Sequence, residues 1–457
     1  MSTFDYVLGI SDFSSGTVTF TSSPYSIGKG GYTPKVEDED EAFVEEDISL
    51  RVTAGSVAGN LTKLREVQRL LLQSKRRQGN KALPKVFVFF KESASASQYR
   101  SEIFAGDAEW DSSALDREYW TGNTQWAEVR WKRGNWWEGP EAQIPLDNLN
   151  GSANTTGLTV YNVNDLSGTA PTKRVNYVHI NAASVTGELD GLTRLELTNT
   201  TSSLRLYHIW VGHNYTDPAN MIWFYDANSA AHSGTAIAAS NASGGTYVRV
   251  TLSGAEADLL TWTLTGAQLD AFKGRMYKAI VRFQGGVETT VRFRFQLEYQ
   301  GAKIWDSGMV SLAGAVYDTL LREIATLKMP PWIAGLSSQQ PLDMVLRGYR
   351  QSGTASISID SLQLVPVDGW RQIAYVGFGG TVNKRIMDDG IAETLYEDNG
   401  SGGSLTAPLV SYGRPITLRP GKDQRLYFQT HSQIQTTSAI TRTLKVKVYY
   451  RPRRRSL

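Results

Sequence analysis

Between residues 48 and 137 the apolar positions change period twice. Ile48, Leu50 and Val52 alternate with polar residues, as on a half-buried strand. Asn60 is a candidate helix cap, and Leu61, Leu64, Val67, Leu70 and Leu71 then recur at helical spacing. Lys75, Arg76 and Arg77 followed by Gly79 supply the cations and the glycine that close a helix, so the pattern predicts one over 60–78. After Pro84 the run Val-Phe-Val-Phe-Phe at 86–90 predicts a buried strand, and alternation returns at 99–110 and 126–131. One helix against a small sheet follows, with no recognisable catalytic constellation.

Beyond Leu146 the chain becomes rich in Asn, Ser, Thr and Gly, which reads as a linker over 151–174 carrying one short strand at 158–161. From 175 to 370 alternating segments succeed one another, at 177–180, 204–211, 247–252 and 277–283. The clearest is 291–299, where every second residue is apolar. Short strands separated by Gly and Asn turns predict a jelly-roll sandwich. A short helix is expected over 317–327, ended by Pro330 and Pro331, and a last sandwich strand over 355–365. Residues 371–457 carry further strands at 373–378, 426–428 and 444–450, with a glycine-rich loop at 399–403. The fold class is therefore mainly β: an N-terminal sheet-plus-helix domain (1–150), the linker, a central jelly-roll β-sandwich (175–370) and a C-terminal β segment (371–457).

A chain of 457 residues is long enough for two to four domains, each with its own core. With 41% hydrophobic and 20% charged residues it is too apolar for general disorder. A formal net charge of +2 argues against a general nucleic-acid or membrane-surface field. The absence of cysteine excludes disulfides, thiolate catalysis and Cys-ligated zinc. The N-terminus has no basic region leading into an apolar run, and no stretch approaches the roughly 18 apolar residues of a membrane span. The expectation is a protein made and kept soluble in a cytoplasm.

Chemistry-bearing motifs are sparse. The five histidines, His179, His208, His213, His232 and His431, have no metal-ligand spacing, and no GxSxG, P-loop or HExxH motif occurs. No enzyme activity, cofactor or metal is expected. Glu128 and Glu138 lie among tryptophans that could stack on sugars or anchor an interface. Trp136 and Trp137, bracketed by Gly134 and Gly139, form the better interface pair, whereas Trp210, Trp223 and Tyr225 are candidate glycan contacts. Glu37, Asp38, Glu39, Asp40, Glu41, Glu45, Glu46 and Asp47 repel one another enough to keep their segment extended and solvated. The basic cluster of Arg451, Arg453, Arg454 and Arg455 reads as a frayed, solvated end or as a contact for phosphate or an acidic partner.

The strand at 48–52, the helix at 61–78 and the aromatic strands up to Trp137 resemble tail proteins of long non-contractile-tailed bacteriophages, most nearly the distal tail protein family. The resemblance implies that residues 1–150 assemble as a hexameric ring continuing the tail tube, while a galectin-like or carbohydrate-binding-like sandwich projects outward. It also implies a place in the virion tail. The partners would be further copies of the chain, other tail proteins and a host-surface glycan. On such a ring the acidic residues from Glu37 to Asp47, facing the lumen, would repel phosphates, so that DNA passes without being specifically bound. The segment after Trp370 is longer than a minimal family member needs, and a tail tube protein or baseplate component fits the same pattern. A non-catalytic carbohydrate-binding protein and a capsid subunit are the alternatives.

Overall fold

The computed structural model describes residues 5–28, 31–37, 41–110, 124–147, 154–161, 175–200, 206–214, 224–239, 242–265, 268–269, 272, 274–312, 319–329, 341–378, 385–398, 409–432 and 443–457. Asp38, Glu39, Asp40, Trp223, the loop at 399–403 and the Pro330-Pro331 pair lie outside them. The fold is mainly β, with multiple antiparallel sheets. It divides into two compact units: Met1–Ala142 with Thr186–Gly191 and Arg451–Leu457, and Gln143–Val185 with Leu192–Tyr450.

Unit 1 is a sheet backed by one helix. Its strands are β1 (Val7–Ser11), β2 (Thr17–Thr19), β3 (Tyr25–Ile27), β4 (Phe43–Val52), β5 (Phe87–Lys91), β6 (Tyr99–Glu109), β7 (Gln125–Gly134) and β8 (Trp137–Glu138). The main path runs β2-β1-β5-β6-β7-β4-β3. Helix α1 (Val57–Arg77) buries Leu64, Val67, Leu70 and Leu71 against it. Each such side chain contributes about 1.5–3 kcal/mol through the water it leaves, so Leu70→Ala at the centre of the contact would remove much of the docking energy. The cap is Ser56, whose Oγ accepts from Gly59 N at 3.0 Å. Asn60, the cap expected from the sequence, lies inside the first turn, and its Oδ1 accepts from Ala54 N at 2.7 Å. Gly106 of β6 permits the close approach of the helix, because a Cβ there would stand 2.7 Å from Leu71 Cδ2.

The arginine-rich tail is not frayed. Arg453–Arg454 pairs antiparallel with β8, Arg453 Nη2 donates to Glu138 Oε1 at 2.8 Å, and Arg451 Nη1 donates to Gly139 O at 2.9 Å. Glu138, almost buried, has Arg100 as a second cationic partner at 3.3 Å, and that environment fixes the tail's register.

Unit 2 contains two sandwich cores that share one long sheet. That sheet runs through Thr246–Leu252, Ala355–Pro366, Met276–Gln284, Thr319–Lys328, Gln424–Ser432, Leu206–Asn214 and Trp370–Phe378. Its first half packs on a five-stranded sheet containing Ala257–Leu264, Leu342–Arg350 and Val291–Tyr299, with Trp262, Phe293, Phe295 and Met344 meeting Tyr277, Val281, Ile359 and Leu364. Its second half joins Ile209, Val211, Leu426 and Phe428 to Leu195, Leu197, Val446 and Val448 of a seven-stranded sheet. Strands late in the chain are thus interleaved with strands from its middle.

The helix expected over 317–327 is corrected. Thr319–Lys328 is a strand paired with Met276–Gln284, and the register shifts where Ala325 faces Ala279 but Glu323 faces Ile280. Ile324 is the extra residue of a β-bulge, which breaks strict alternation and places apolar residues three and four apart. That spacing imitates a helix.

Candidate functional site

Strand β4 alternates along its whole length: Val44, Glu46, Ile48, Leu50 and Val52 face the core, whereas Phe43, Glu45, Asp47, Ser49 and Arg51 face out. Glu46 is thus a carboxylate in apolar phase, and it is held by donors from three directions. Tyr32 Oη (2.8 Å), Trp131 Nε1 (2.9 Å) and Arg133 Nε (2.9 Å) donate to Oε2, while Lys35 N (2.9 Å) and Arg133 Nη2 (2.6 Å) donate to Oε1. Arg133 also donates to Gly134 O and Lys35 O and lies over the Trp137 ring at 4.4 Å. Burial, and then the adjacent Glu46 charge, raise the Tyr32 phenol well above its usual range. Every Glu46 lone pair is engaged, so this network braces β4 and has no acceptor to offer a substrate proton.

Beside it opens a cleft of about 530 Å³, floored by Glu46, Trp131 and Gly106 and walled by Leu72 and Lys75 of α1. At its rim Lys35 Nζ stands 3.8 Å from Asp47 and donates to Glu45 O at 3.1 Å, and Lys132 is 3.5 Å from Glu45. The outward acids of β4 are therefore countered across the sheet by cations, Glu45 opposite Lys132 and Asp47 opposite Arg130. Among the described residues of the acidic run expected to be solvated, Glu46 is the exception: it is buried, paired with Arg133. Glu37 and Glu41 are exposed.

Strand β4 also bears an incomplete ladder. The edge strand β3 pairs only with Leu50–Val52, and Gly28 N donates to Ser49 O. Pairing parity turns the backbone of Phe43, Glu45 and Asp47 to that same edge, where no strand lies beside them among the described residues.

The other candidate residues are dispersed. Trp137 is wholly buried in the unit 1 core and presents no surface to a neighbouring chain; Trp136 is half-buried with Arg453 over its ring at 5.1 Å. Trp126 is 47% exposed. Trp210 stacks on Trp370 at 5.4 Å among Ile280, Leu321 and Val365, and Tyr225 sits inside the first sandwich core, its phenol raised well above its usual range by burial. Neither offers a sugar an open ring face. Sequence reasoning missed Arg133, although a glutamate in the apolar phase of β4 calls for a buried cation. Among the described residues no group of three or more His, Asp or Glu is placed to hold a metal ion, and no helix is long and apolar enough to cross a membrane.

No family model matches the chain, and no curated protein matches it. Among solved structures it is similar to a chain of the phage p2 baseplate in its activated conformation with Sr, at 10% identity and a TM-score of 0.18, covering 78% of this chain and 97% of that one. It is similar also to an exo-beta-1,3-galactanase from Phanerochaete chrysosporium, at 11% identity, a TM-score of 0.20, and 70% and 78% coverage. A third is the VP2 subviral particle of infectious bursal disease virus, at 9% identity, a TM-score of 0.17, and 57% and 65% coverage. Overlaps this low define no common fold.

Proposed function

We propose that the chain is a non-catalytic structural subunit of a phage tail, of the distal tail kind, in which unit 1 builds a ring and unit 2 serves attachment to neighbouring tail proteins. The observation that carries this reading is β4. It is a ten-residue strand that, among the described residues, is paired with another strand along its β3 edge only at Leu50–Val52, and its orientation is braced by a saturated buried ion pair. An exposed, rigid edge of this kind is covered by a surface of a neighbour, and repetition of one such contact around an axis closes a ring. The resemblance of the strand, helix and strand order to distal tail proteins supplies the setting. Burial of Trp210 and Tyr225 makes protein contact the preferred role for unit 2 over glycan capture. Mass photometry and particle imaging of the full chain at micromolar concentration test the assembly. The expected result is a closed homo-oligomer, six subunits by the resemblance, and a chain that stays monomeric across that range overturns the reading.

A further inference from the structure

Helix α1 carries a second feature on its outer face. Opposite its buried face, Arg65, Arg69 and Arg76 recur at i, i+4 and i+11 with the half-buried Leu72 between them, a stripe spanning about 16 Å of helix axis. All three arginines are exposed, and none makes an ion pair or side-chain hydrogen bond among the described residues; the one carboxylate of the helix, Glu66, is taken by Lys63 at 2.8 Å. Unpaired like charges along one face are unfavourable in the isolated chain and become favourable only opposite a complementary surface.

The same unit carries that surface. Glu45 and Asp47 lie on the outward face of β4 beside its edge, exposed Glu41 and Glu37 precede the strand, and the distance from Glu41 to Asp47 is about 20 Å if extended. Glu37 and Glu41 have no cation partner among the described residues, and those of Glu45 and Asp47 are exposed and loose at 3.5 and 3.8 Å. Each surface also has an apolar element: Phe43 is 38% and Val36 52% exposed on the acidic side, and on the basic side is the half-buried Leu72, which borders the cleft beside Glu45 and Asp47 in its own chain. Length, charge sign and apolar content all match.

We propose that the Arg65–Arg69–Arg76 face of α1 docks on the acidic segment around β4 of a second copy of this chain. The contact is heterologous, because helix and strand edge are different surfaces of one unit, and a heterologous contact repeated about an axis gives a ring. Pairing β4 with β4 is disfavoured, since it would bring Glu45 and Asp47 of two copies together. The proposal rests on the reading of the chain as a self-assembling subunit and assigns its interface.

The test is charge reversal in the full chain, read by analytical ultracentrifugation and checked by circular dichroism. R65E/R69E/R76E is expected to weaken self-association by about tenfold or more, as is E37K/E41K/E45K, while a chain carrying all six changes reassembles. Raising sodium chloride from 0.05 to 0.5 M should weaken the unmodified assembly in the same sense, which needs no variant. Assembly unchanged by reversal of the helix charges overturns the interface and leaves the ring reading standing; a monomeric unmodified chain overturns both. Loss of binding to a 30-base-pair duplex on helix reversal, with assembly intact, also overturns the interface, in favour of nucleic acid as the ligand of α1.

Discussion

The two units handle charge in opposite ways. On the strands of unit 2 cations are matched within the unit: Arg294 with Glu256 and Asp306, Arg347 with Asp258, Arg350 with Glu288, and Arg385 with Glu196 and Asp398. Several of these carboxylates are shared, and Asp306 is held down to about 2: its donors, led by Gln296, outweigh the opposing effect of burial. Unit 1 matches its charge inside, at Arg133 and Glu46, while outside it Arg65, Arg69 and Arg76 make no ion pair among the described residues and Glu45 and Asp47 are held only by exposed lysines at 3.5 and 3.8 Å. A surface whose charges are internally cancelled gains little electrostatically from a neighbour, whereas one with separated unmatched patches gains orientation and rate. On the proposed reading, the difference favours unit 1 as the assembling unit.

Buried pairs give the largest test of that contrast. Replacing Arg133 and Glu46 together by Met and Leu orphans Tyr32 Oη, Trp131 Nε1 and Lys35 N, so unit 1 should lose about 3 kcal/mol or more in denaturant unfolding. The corresponding swap in unit 2, Arg371→Met with Asp388→Leu, removes a bidentate pair with bonds of 2.9 and 2.6 Å whose carboxylate serves no other group among the described residues, and should stay within about 1 kcal/mol. Equal losses at the two sites would erase the distinction.

Acid should separate the units next. All five histidines lie in unit 2. His213 is wholly buried beside Gln424 at 3.0 Å, and burial first of all lowers it from 6.5 to about 4. Its folded value lies below the unfolded one, so the stability it contributes is present above pH 6.5 and is lost as pH falls toward about 4, by about 3 kcal/mol in all. Thermal scans over that window should show the unit 2 transition falling, and His213→Leu should flatten the fall. A pH response unchanged in the variant refutes the assignment to His213.

Smallest is the effect of the stripe on folding itself. Arg65→Ala or Arg69→Ala should change monomer stability by no more than about 0.5 kcal/mol in denaturant titration, because neither side chain makes an ion pair among the described residues. A loss above 1 kcal/mol would mean the stripe is already used within one molecule.

Much of this was legible wherever one period persists. Helix α1 was expected from Leu64, Val67, Leu70 and Leu71 and is observed from Val57 to Arg77, its start displaced because Ser56 competes with Asn60 for the cap. The strand Leu158–Tyr161 lies where alternation predicts it. Legibility failed where long-range partners decide. A bulge at Ile324 disguised a strand as a helix; the arginine tail carries no apolar pattern, and its acceptor Glu138 is more than 300 residues away. The candidate sugar contacts failed for a related reason, since Trp210 and Tyr225 look alike in sequence whether their rings face water or one another's neighbours.

That distant acceptor also sets a clock. Most of unit 1 is translated before residues 143–450, yet its strand Arg453–Arg454 is translated only after them. Throughout that interval Glu138 lacks the arginine that donates two bonds to it. A nascent chain therefore cannot present a finished unit 1 until unit 2 has been synthesised.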